Sequence, residues 1–178
     1  MNIINNQRYK STEERIENAL VSLLRIRKYT DISIKELCYE AGINRSSFYA
    51  HYEDINDLMI KVESKLSKEM SDIFKVTTTF NKDTFTKMFE FLYKNRAFYK
   101  AYLESNEETT MERKDFLNYL TLLDKYFVSG CSKENLVYHA TFFAGGIKAM
   151  AKAWLFTGCK ETSEQMSQIL YDEYTSRN

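Results

Sequence analysis

The stretch Ser33–Tyr52, SIKELCYEAGINRSSFYAHY, decides the fold of this chain. Four of its residues recur at i, i+3, i+4 and i+7, which is the spacing of one apolar helix face: Ile34, Leu37, Cys38 and Ala41. Ser33 precedes this face and Glu36 follows three residues later, which is the pattern of a capping box at a helix start. We therefore expect a short helix that begins directly after Ser33.

A second short helix is expected immediately downstream. Gly42 can adopt a positive φ and end the first helix, and Asn44 is suited to cap the next one, from Arg45 to about Tyr52. Two short helices joined by a tight glycine turn form a helix-turn-helix, whose second helix lies in the major groove of DNA. An ordinary corner between two helices has the same spacing, and it remains the alternative interpretation.

The side chains nearest the start of the second helix are candidates for DNA contact: Arg45, Ser46, Ser47 and Tyr49. Arginine can bond a guanine edge with two hydrogen bonds, and hydroxyl groups fit phosphates or base edges. Phe48 and Tyr52 are separated by four residues, and we expect both to pack inward.

The longer run TDISIKELCYEAGINRSSFYAHYEDINDL resembles the N-terminal signature of the TetR/AcrR family of bacterial transcriptional regulators. The matching positions are Ser33-Ile34, Leu37-Cys38, Ala41-Gly42-Ile43-Asn44, Phe48-Tyr49, His51-Tyr52 and Leu58. The resemblance implies that Tyr49 and His51 contact backbone phosphates, that Ser33 and Lys35 hold the flanking strand, and that Arg45 occupies a variable specificity position. Asn44 is included among these predicted DNA-binding residues.

Two positions depart from the family pattern. Ser46 replaces a frequent glycine, and Ile55 stands where the family commonly has a lysine that grips phosphate. The carboxylates of Glu53 and Asp54 would repel DNA if they faced it, although Asp54 and Asp57 also suit the positive end of the next helix. We therefore expect weak binding to nonspecific DNA and a strong dependence of binding on dimer formation.

The composition predicts an all-α protein. The chain has 178 residues with five glycines and no proline, so little in it interrupts helices. We expect about nine helices: a three-helix DNA-binding bundle, followed by an antiparallel helical domain for dimerisation and effector binding. The predicted domains are 1–54 and 55–178, with a helix over about 55–74 as the connector. Residues 1 to about 9 are expected to form a mobile arm, with the first helix starting at Ser11.

Other function classes have little support in the sequence. The three cysteines and two histidines form neither a disulfide framework nor a metal-ligand pattern, so no metal or cofactor is expected. No catalytic motif is present, which makes an all-α enzyme the weakest alternative. The chain lacks a signal-peptide pattern, and its longest uncharged run near the C-terminus has 13 residues, which is too short for a membrane span. We expect a cytoplasmic protein without membrane contact.

Several helices are expected after the connector. Asn95-Arg96 should divide the aromatic segment 85–102 into two helices, and Thr110–Ser129 should form another. Ser132 should cap a long helix that ends near Phe156, and Thr162 or Ser163 should cap the last helix.

The long helix has two apolar stripes where a surface helix needs only one, so its second stripe should meet another chain. With the last helix, this predicts a four-helix seam around a two-fold axis, formed by Phe142, Gly145, Gly146, Ala149, Ala153, Phe156, Met166, Ile169 and Leu170. The alternative is a central helix buried wholly inside its own bundle.

The segment FFAGGIKAMAKAWLFTGCKETSEQMSQIL resembles the C-terminal region of the dihydroxyacetone-kinase-operon regulator subgroup of TetR-type proteins. This resemblance implies a dimerising, effector-sensing domain. Members of the subgroup sense different partners, and one known mode is the docking of a protein coactivator in place of a small molecule.

A group of aromatic and polar side chains could line an effector pocket: Phe89, Tyr93, Tyr102, Tyr119, Leu123, His139 and Phe143. Core packing explains aromatic residues at helical spacing equally well. Together the patterns predict a homodimeric regulator that binds a palindromic double-stranded operator and responds to an effector. Family membership implies a repressor, and an activator controlled by a protein coactivator is the alternative.

Overall fold

The computed structural model describes residues 3–75, 81–104 and 136–175, and within these ranges the chain has eight α-helices and no strand. The helices are α1 (Ile3–Leu24), α2 (Ile34–Ala41), α3 (Arg45–Tyr49), α4 (Ile55–Lys75), α5 (Lys82–Lys94), α6 (Arg96–Glu104), α7 (Leu136–Phe156) and α8 (Ser163–Thr175). A single 3-10 turn, Tyr29–Asp31, lies between α1 and α2. The prediction of an all-α fold is confirmed. The predicted helix Thr110–Ser129 and the Ser132 cap lie outside the described residues.

The chain divides into two compact units, Met1–Leu66 and Ser67–Asn178, and the division falls inside α4. The first unit contains α1, α2, α3 and the first half of α4. Its core is built from side chains that are fully buried: Ile16, Leu20, Leu37, Phe48 and Leu58. Each helix of this unit contributes at least one of them, so the burial of apolar surface holds the helices together.

Helix α1 begins earlier than the sequence pattern indicated. The expectation of a mobile arm over residues 1 to about 9, with a start at Ser11, was wrong, because α1 extends back to Ile3. The Thr12 hydroxyl donates to the Arg8 carbonyl oxygen at 2.9 Å, so Thr12 bonds the preceding turn instead of capping a new helix. No proline or glycine interrupts residues 3–10, and Tyr9 packs against His51 across the unit.

The second unit has a core made mainly by α5, α7 and α8. Its buried members are Phe74, Phe85, Met88, Phe89, Leu92, Ala151, Trp154, Met166 and Leu170. Asn81 caps α5 by accepting from the Thr84 amide at 2.9 Å, and the Ser167 hydroxyl of α8 donates to the Lys82 carbonyl at 2.6 Å. The Ser167 side chain is fully buried, so this bond fixes α8 against the start of α5.

The helix boundaries predicted for this unit are confirmed where they can be compared. Helix α5 ends at Lys94 and α6 begins at Arg96, with Asn95 between them donating its amide group to the Phe91 carbonyl. Helix α8 is capped by Thr162, whose hydroxyl accepts from the Gln165 amide at 3.2 Å. The Gln165 side chain accepts from the Thr162 amide at 2.8 Å, which completes a capping box.

Candidate nucleic-acid interface

Helices α2 and α3 form a helix-turn-helix whose geometry is set by short-range hydrogen bonds. The Ser33 hydroxyl accepts from the Glu36 amide, and the Glu36 carboxylate accepts from the Ser33 amide, each at 3.2 Å, which is the predicted capping box. Gly42 adopts φ 62° and ψ 40°, the left-handed conformation that glycine favours, and it ends α2 as predicted. The Ile43 amide donates to the Cys38 carbonyl at 2.9 Å and closes the turn.

A side chain of helix α1 forms a hydrogen bond to this turn. The guanidinium Nη2 of Arg15 donates to the Gly42 carbonyl oxygen at 2.6 Å. Since Gly42 lies in the turn between α2 and α3, Arg15 connects α1 to the turn of the helix-turn-helix. This contact could not be predicted from the sequence, because Arg15 and Gly42 are 27 residues apart and no local pattern relates them.

Helix α3 starts at Arg45 and is capped by Asn44, as predicted. The Asn44 carboxamide oxygen accepts from the Ser47 amide at 2.8 Å and from the Ser46 hydroxyl at 2.7 Å. The helix ends at Tyr49, earlier than the predicted end near Tyr52, because the chain tightens there into a turn in which the His51 amide donates to the Phe48 carbonyl at 2.9 Å.

One face of α3 is anchored in the core and the other lies in solvent. Phe48 is fully buried and Tyr52 is 2% exposed, which confirms that both pack inward. Arg45 is exposed and Tyr49 is 57% exposed, so the guanidinium and the phenol project from a fixed helix. Ser46 is also exposed, and Ser47 is half-buried. The arrangement presents a cation and a phenol next to each other on the solvent side of the helix.

The start of α2 contributes two more candidate contacts, Ser33 and Lys35, and both are exposed. The Ser33 hydroxyl donates to the Glu36 carboxylate at 2.8 Å, and these Ser33 bonds hold the pKa of Glu36 below its ordinary value. Arg27 forms an ion pair with Glu36 at 3.2 Å. Lys35 therefore carries the available positive charge at this end of α2, while the Ser33 hydroxyl already serves the cap.

His51 lies directly after α3 and is half-buried. Its ring stacks on the Tyr9 ring with centroids 3.8 Å apart and planes 28° apart, and the Nδ1 atom is buried without a hydrogen-bond partner. Burial is the main cause that lowers the pKa of His51, with Lys61 adding to it and Glu13 opposing it. The lowered pKa favours the neutral imidazole, which can offer a polar hydrogen bond but no charge.

Two acidic residues after α3 bond backbone amides at the start of α4. The Asp54 carboxylate accepts from the Asp57 amide at 2.8 Å, so the expectation that Asp54 caps α4 is confirmed. Asp57 lies in the first turn of α4 and accepts at 3.0 Å from the amide of Glu53, which precedes the helix. Lys61 donates to Asp57 at 2.8 Å and to the His51 carbonyl at 3.0 Å. The Lys61–Asp57 ion pair is a feature that the i, i+4 spacing of the two residues could have indicated.

Helix α7 carries the second exposed surface of interest, which we call the α7 face. It consists of Tyr138, Phe142, Gly145, Gly146, Ala149, Ala153 and Phe156, all of them exposed. Phe142 is 60% exposed, and among the described residues, apart from the nearby backbone of α7 itself, nothing lies within 4 Å of a Cβ added at Gly145 or Gly146. The opposite side of α7 is buried through Ala151, Trp154 and Leu155.

Of the three α8 residues predicted for the dimer surface, only one is exposed. Ile169 is 46% exposed, whereas Met166 and Leu170 are 5% and 6% exposed and belong to the core of the second unit. Burial inside their own chain removes Met166 and Leu170 from the candidate surface, because α8 turns that side toward α5. The prediction placed both on the wrong side of α8.

Four of the seven side chains predicted for an effector pocket are described, and they differ in burial. Phe89 is fully buried and packs edge-on against Trp154 with centroids 5.4 Å apart, which makes it a core residue. Tyr93 is 45% exposed, with the Arg96 guanidinium 4.3 Å from its ring centroid. Tyr102 and Phe143 are half-buried. Tyr119 and Leu123 lie outside the described residues, and the described side chains do not include His139.

Comparison with known proteins identifies the family. Residues 81–173 match the TetR family model described as a transcriptional regulator C-terminal region, which is more than half of the chain. The chain belongs to the TetR family of transcriptional regulators. A relative from Bacillus subtilis (strain 168), the uncharacterized HTH-type transcriptional regulator YxbF, is 28% identical over 100 residues, covering 52% of this chain. The matched region is 26% of that relative, so the TetR chain described here spans about a quarter of its length.

Solved structures of TetR-type proteins share the fold. A transcriptional regulator of the TetR/AcrR type from Aquifex aeolicus VF5 is similar with a TM-score of 0.76 at 14% identity, covering 94% of this chain and 99% of that one. The dihydroxyacetone kinase operon activator DhaS is similar with a TM-score of 0.67 at 16% identity, covering 93% and 95% of the two chains. Among the described residues of this TetR regulator, no helix has the length and apolar character needed to cross a membrane.

Proposed function

We propose that the chain is a homodimeric TetR-type repressor that binds a palindromic operator in double-stranded DNA in the cytoplasm. Residues 1–54 carry DNA binding, and residues 55–178 carry dimerisation and effector sensing. The observation that supports this proposal most strongly is the exposed side of α3. Arg45 and Tyr49 project from a helix that the Asn44 cap, the Gly42 turn and the buried Phe48 hold in place.

The proposed contacts divide into base reading and backbone binding. Arg45 reads a guanine edge in the major groove, because an arginine can donate two parallel hydrogen bonds to that base. Lys35 and Tyr49 bind phosphates on the flanking strand, with Ser33, His51 and the polar residues Asn44, Ser46 and Ser47 at the same surface. Since Asn44 and Ser46 bond each other, their share in base reading is smaller than that of Arg45.

Two copies are proposed to join through the α7 face with Ile169. The small residues Gly145, Gly146, Ala149 and Ala153 allow the backbones of two helices to approach closely, and Phe142 then supplies the apolar area that a stable interface needs. A two-fold axis would place two copies of α3 in successive major grooves, about 34 Å apart.

Control is proposed to act through α4, since the division between the two units falls within that helix. An effector that binds the second unit shifts the protein toward a state with lower operator affinity, which requires the effector to prefer that state. A second candidate is an activator that a protein coactivator controls. The fold similarity to DhaS, which is named as an operon activator, favours it.

The test is electrophoretic mobility shift and footprinting on the DNA that flanks the gene for this chain. We expect Arg45→Ala and Tyr49→Ala to abolish the shift while light scattering still shows a dimer. Ile26→Ala is the matched control, because Ile26 is 77% exposed and lies outside α2 and α3. Operator affinity unchanged in both variants would refute the assignment of α3. Transcript levels after gene deletion distinguish the candidates: they rise for a repressor and fall for an activator.

A further inference from the structure

The first turns of α1 reach across to the end of α3. The Tyr9 hydroxyl donates to the Ala50 carbonyl oxygen at 3.4 Å, and the Tyr9 ring stacks on the His51 ring at 3.8 Å between centroids. These two contacts involve consecutive residues directly after α3. Tyr9 is 47% exposed, so the contact lies at the surface of the unit instead of in its core.

The orientation of the His51 ring depends on packing. Nδ1 is buried and has no hydrogen-bond partner, so no bond from this atom sets the ring angle. The backbone of His51 is held by Lys61, which donates to its carbonyl at 3.0 Å, but that bond leaves the side chain free to rotate. The stacked Tyr9 ring therefore supplies the closest restraint on the imidazole, with the Tyr52 ring farther away at 6.1 Å.

We infer that Tyr9 is a positioning residue for DNA binding, which orients His51 and the end of α3 toward the DNA backbone without contacting the nucleic acid itself. This inference rests on the proposed function, in which His51 lies at the DNA surface. It gives a role to the N-terminal extension of α1, since Tyr9 lies before the residues that build the core of the unit.

The affinity test is a double-mutant cycle on the operator found by footprinting. We expect Tyr9→Ala to weaken binding about fivefold to tenfold and Tyr9→Phe, which keeps the ring, to weaken it by less than about threefold. In the His51→Ala background, Tyr9→Ala should cost less than about twofold, because a residue that acts through His51 has nothing left to orient. Ile26→Ala, at an exposed position just after the end of α1, serves again as the control and should bind like the wild type.

A second readout does not involve DNA. The groups that face His51 are Glu13 of α1, Lys61 of α4 and the rings of Tyr9 and Tyr52. Since burial is the main cause of the lowered pKa, removing the Tyr9 ring should raise the pKa of His51 toward 6.5. The chain has two histidines, so the His51 signal in an NMR titration can be assigned as the one that His51→Ala removes.

The outcomes separate this inference from the proposed function. Coupled losses in affinity together with a raised His51 pKa in Tyr9→Ala would support the inference. If the affinity losses of Tyr9→Ala and His51→Ala multiply in the double variant, the inference about Tyr9 is overturned. A His51 pKa that Tyr9→Ala leaves unchanged would also overturn it. Neither result would affect operator binding by the wild type. A wild-type chain that binds no duplex would overturn the proposed function and this inference together.

Discussion

Substitution of Gly42 by alanine should destabilise the protein by an amount that the turn geometry predicts. A residue with a side chain at φ 62° costs about 1–2 kcal/mol relative to glycine. The new Cβ would lie 2.8 Å from Nη2 of Arg15. Because that atom is the far end of a flexible side chain, Arg15 moves away and loses its bond to the Gly42 carbonyl, which costs about another 0.5–1 kcal/mol.

The expected total is about 2 kcal/mol, which corresponds to a fall of about 1 M in the urea midpoint for a chain of this size. Urea unfolding followed by far-UV circular dichroism measures it. Gly42→Asn should lose about half as much, because asparagine tolerates the left-handed conformation better than alanine does. Arg15→Ala alone should lower the free energy of unfolding only by the contribution of the Arg15–Gly42 hydrogen bond, about 0.5–1 kcal/mol.

The combination of Gly42→Ala with Arg15→Ala tests the reasoning most directly. If the added methyl group displaces Arg15, the double variant should lose no more than Gly42→Ala loses alone, within about 0.5 kcal/mol. If the stability losses of Gly42→Ala and Arg15→Ala add in full in the double variant, the added methyl group does not displace Arg15. A Gly42→Ala protein with the wild-type midpoint would refute the strain argument itself.

Three further predictions follow from buried or exposed groups. Tyr52→Phe should raise the unfolding free energy by about 1 kcal/mol, because the Tyr52 hydroxyl is buried without a hydrogen-bond partner; a lowered thermal midpoint would contradict this. Glu36→Gln should be less stable than the wild type at pH 7, and the difference should vanish as the pH falls below 4.5 and through the lowered pKa of Glu36; a difference constant with pH in urea titrations would count against it. Ala149→Glu on the α7 face should yield monomers by light scattering while Lys160→Glu stays dimeric, and a dimeric Ala149→Glu would exclude this face.

The helix-turn-helix was predictable because its determinants are local. A serine and a glutamate three residues apart, a glycine at the turn and an asparagine before Arg45 each act within one helical turn. Local geometry of this kind is encoded by residue type and spacing alone. The positions of Ser33, Gly42 and Asn44 in the structure accordingly match the predicted roles.

Two helix ends in the first unit, the start of α1 and the end of α3, were harder to predict, because they depend on contacts that no local pattern indicates. The start of α1 at Ile3 coincides with the Tyr9–His51 contact, which joins residues 42 positions apart and leaves no periodic signal. Helix α3 ends at Tyr49 because the chain forms a tight turn there, and the side chains of Phe48 and Tyr52 on either side of this turn are both buried. Hydrophobic periodicity reports which residues are apolar, but it does not report which distant residue will meet them.

For helices α7 and α8, the same limit applies to the prediction of which helix face is buried. Sequence periodicity identified two apolar sides on α7, and the exposure of Phe142 against the burial of Trp154 separates them. On α8 periodicity could not separate the sides, because Met166, Ile169 and Leu170 are equally apolar. The buried Ser167–Lys82 bond fixes the rotation of α8, so that Met166 and Leu170 serve its own core. Of the described residues predicted for a symmetric contact, those on α7 are exposed, and on α8 Ile169 is exposed while Met166 and Leu170 are buried.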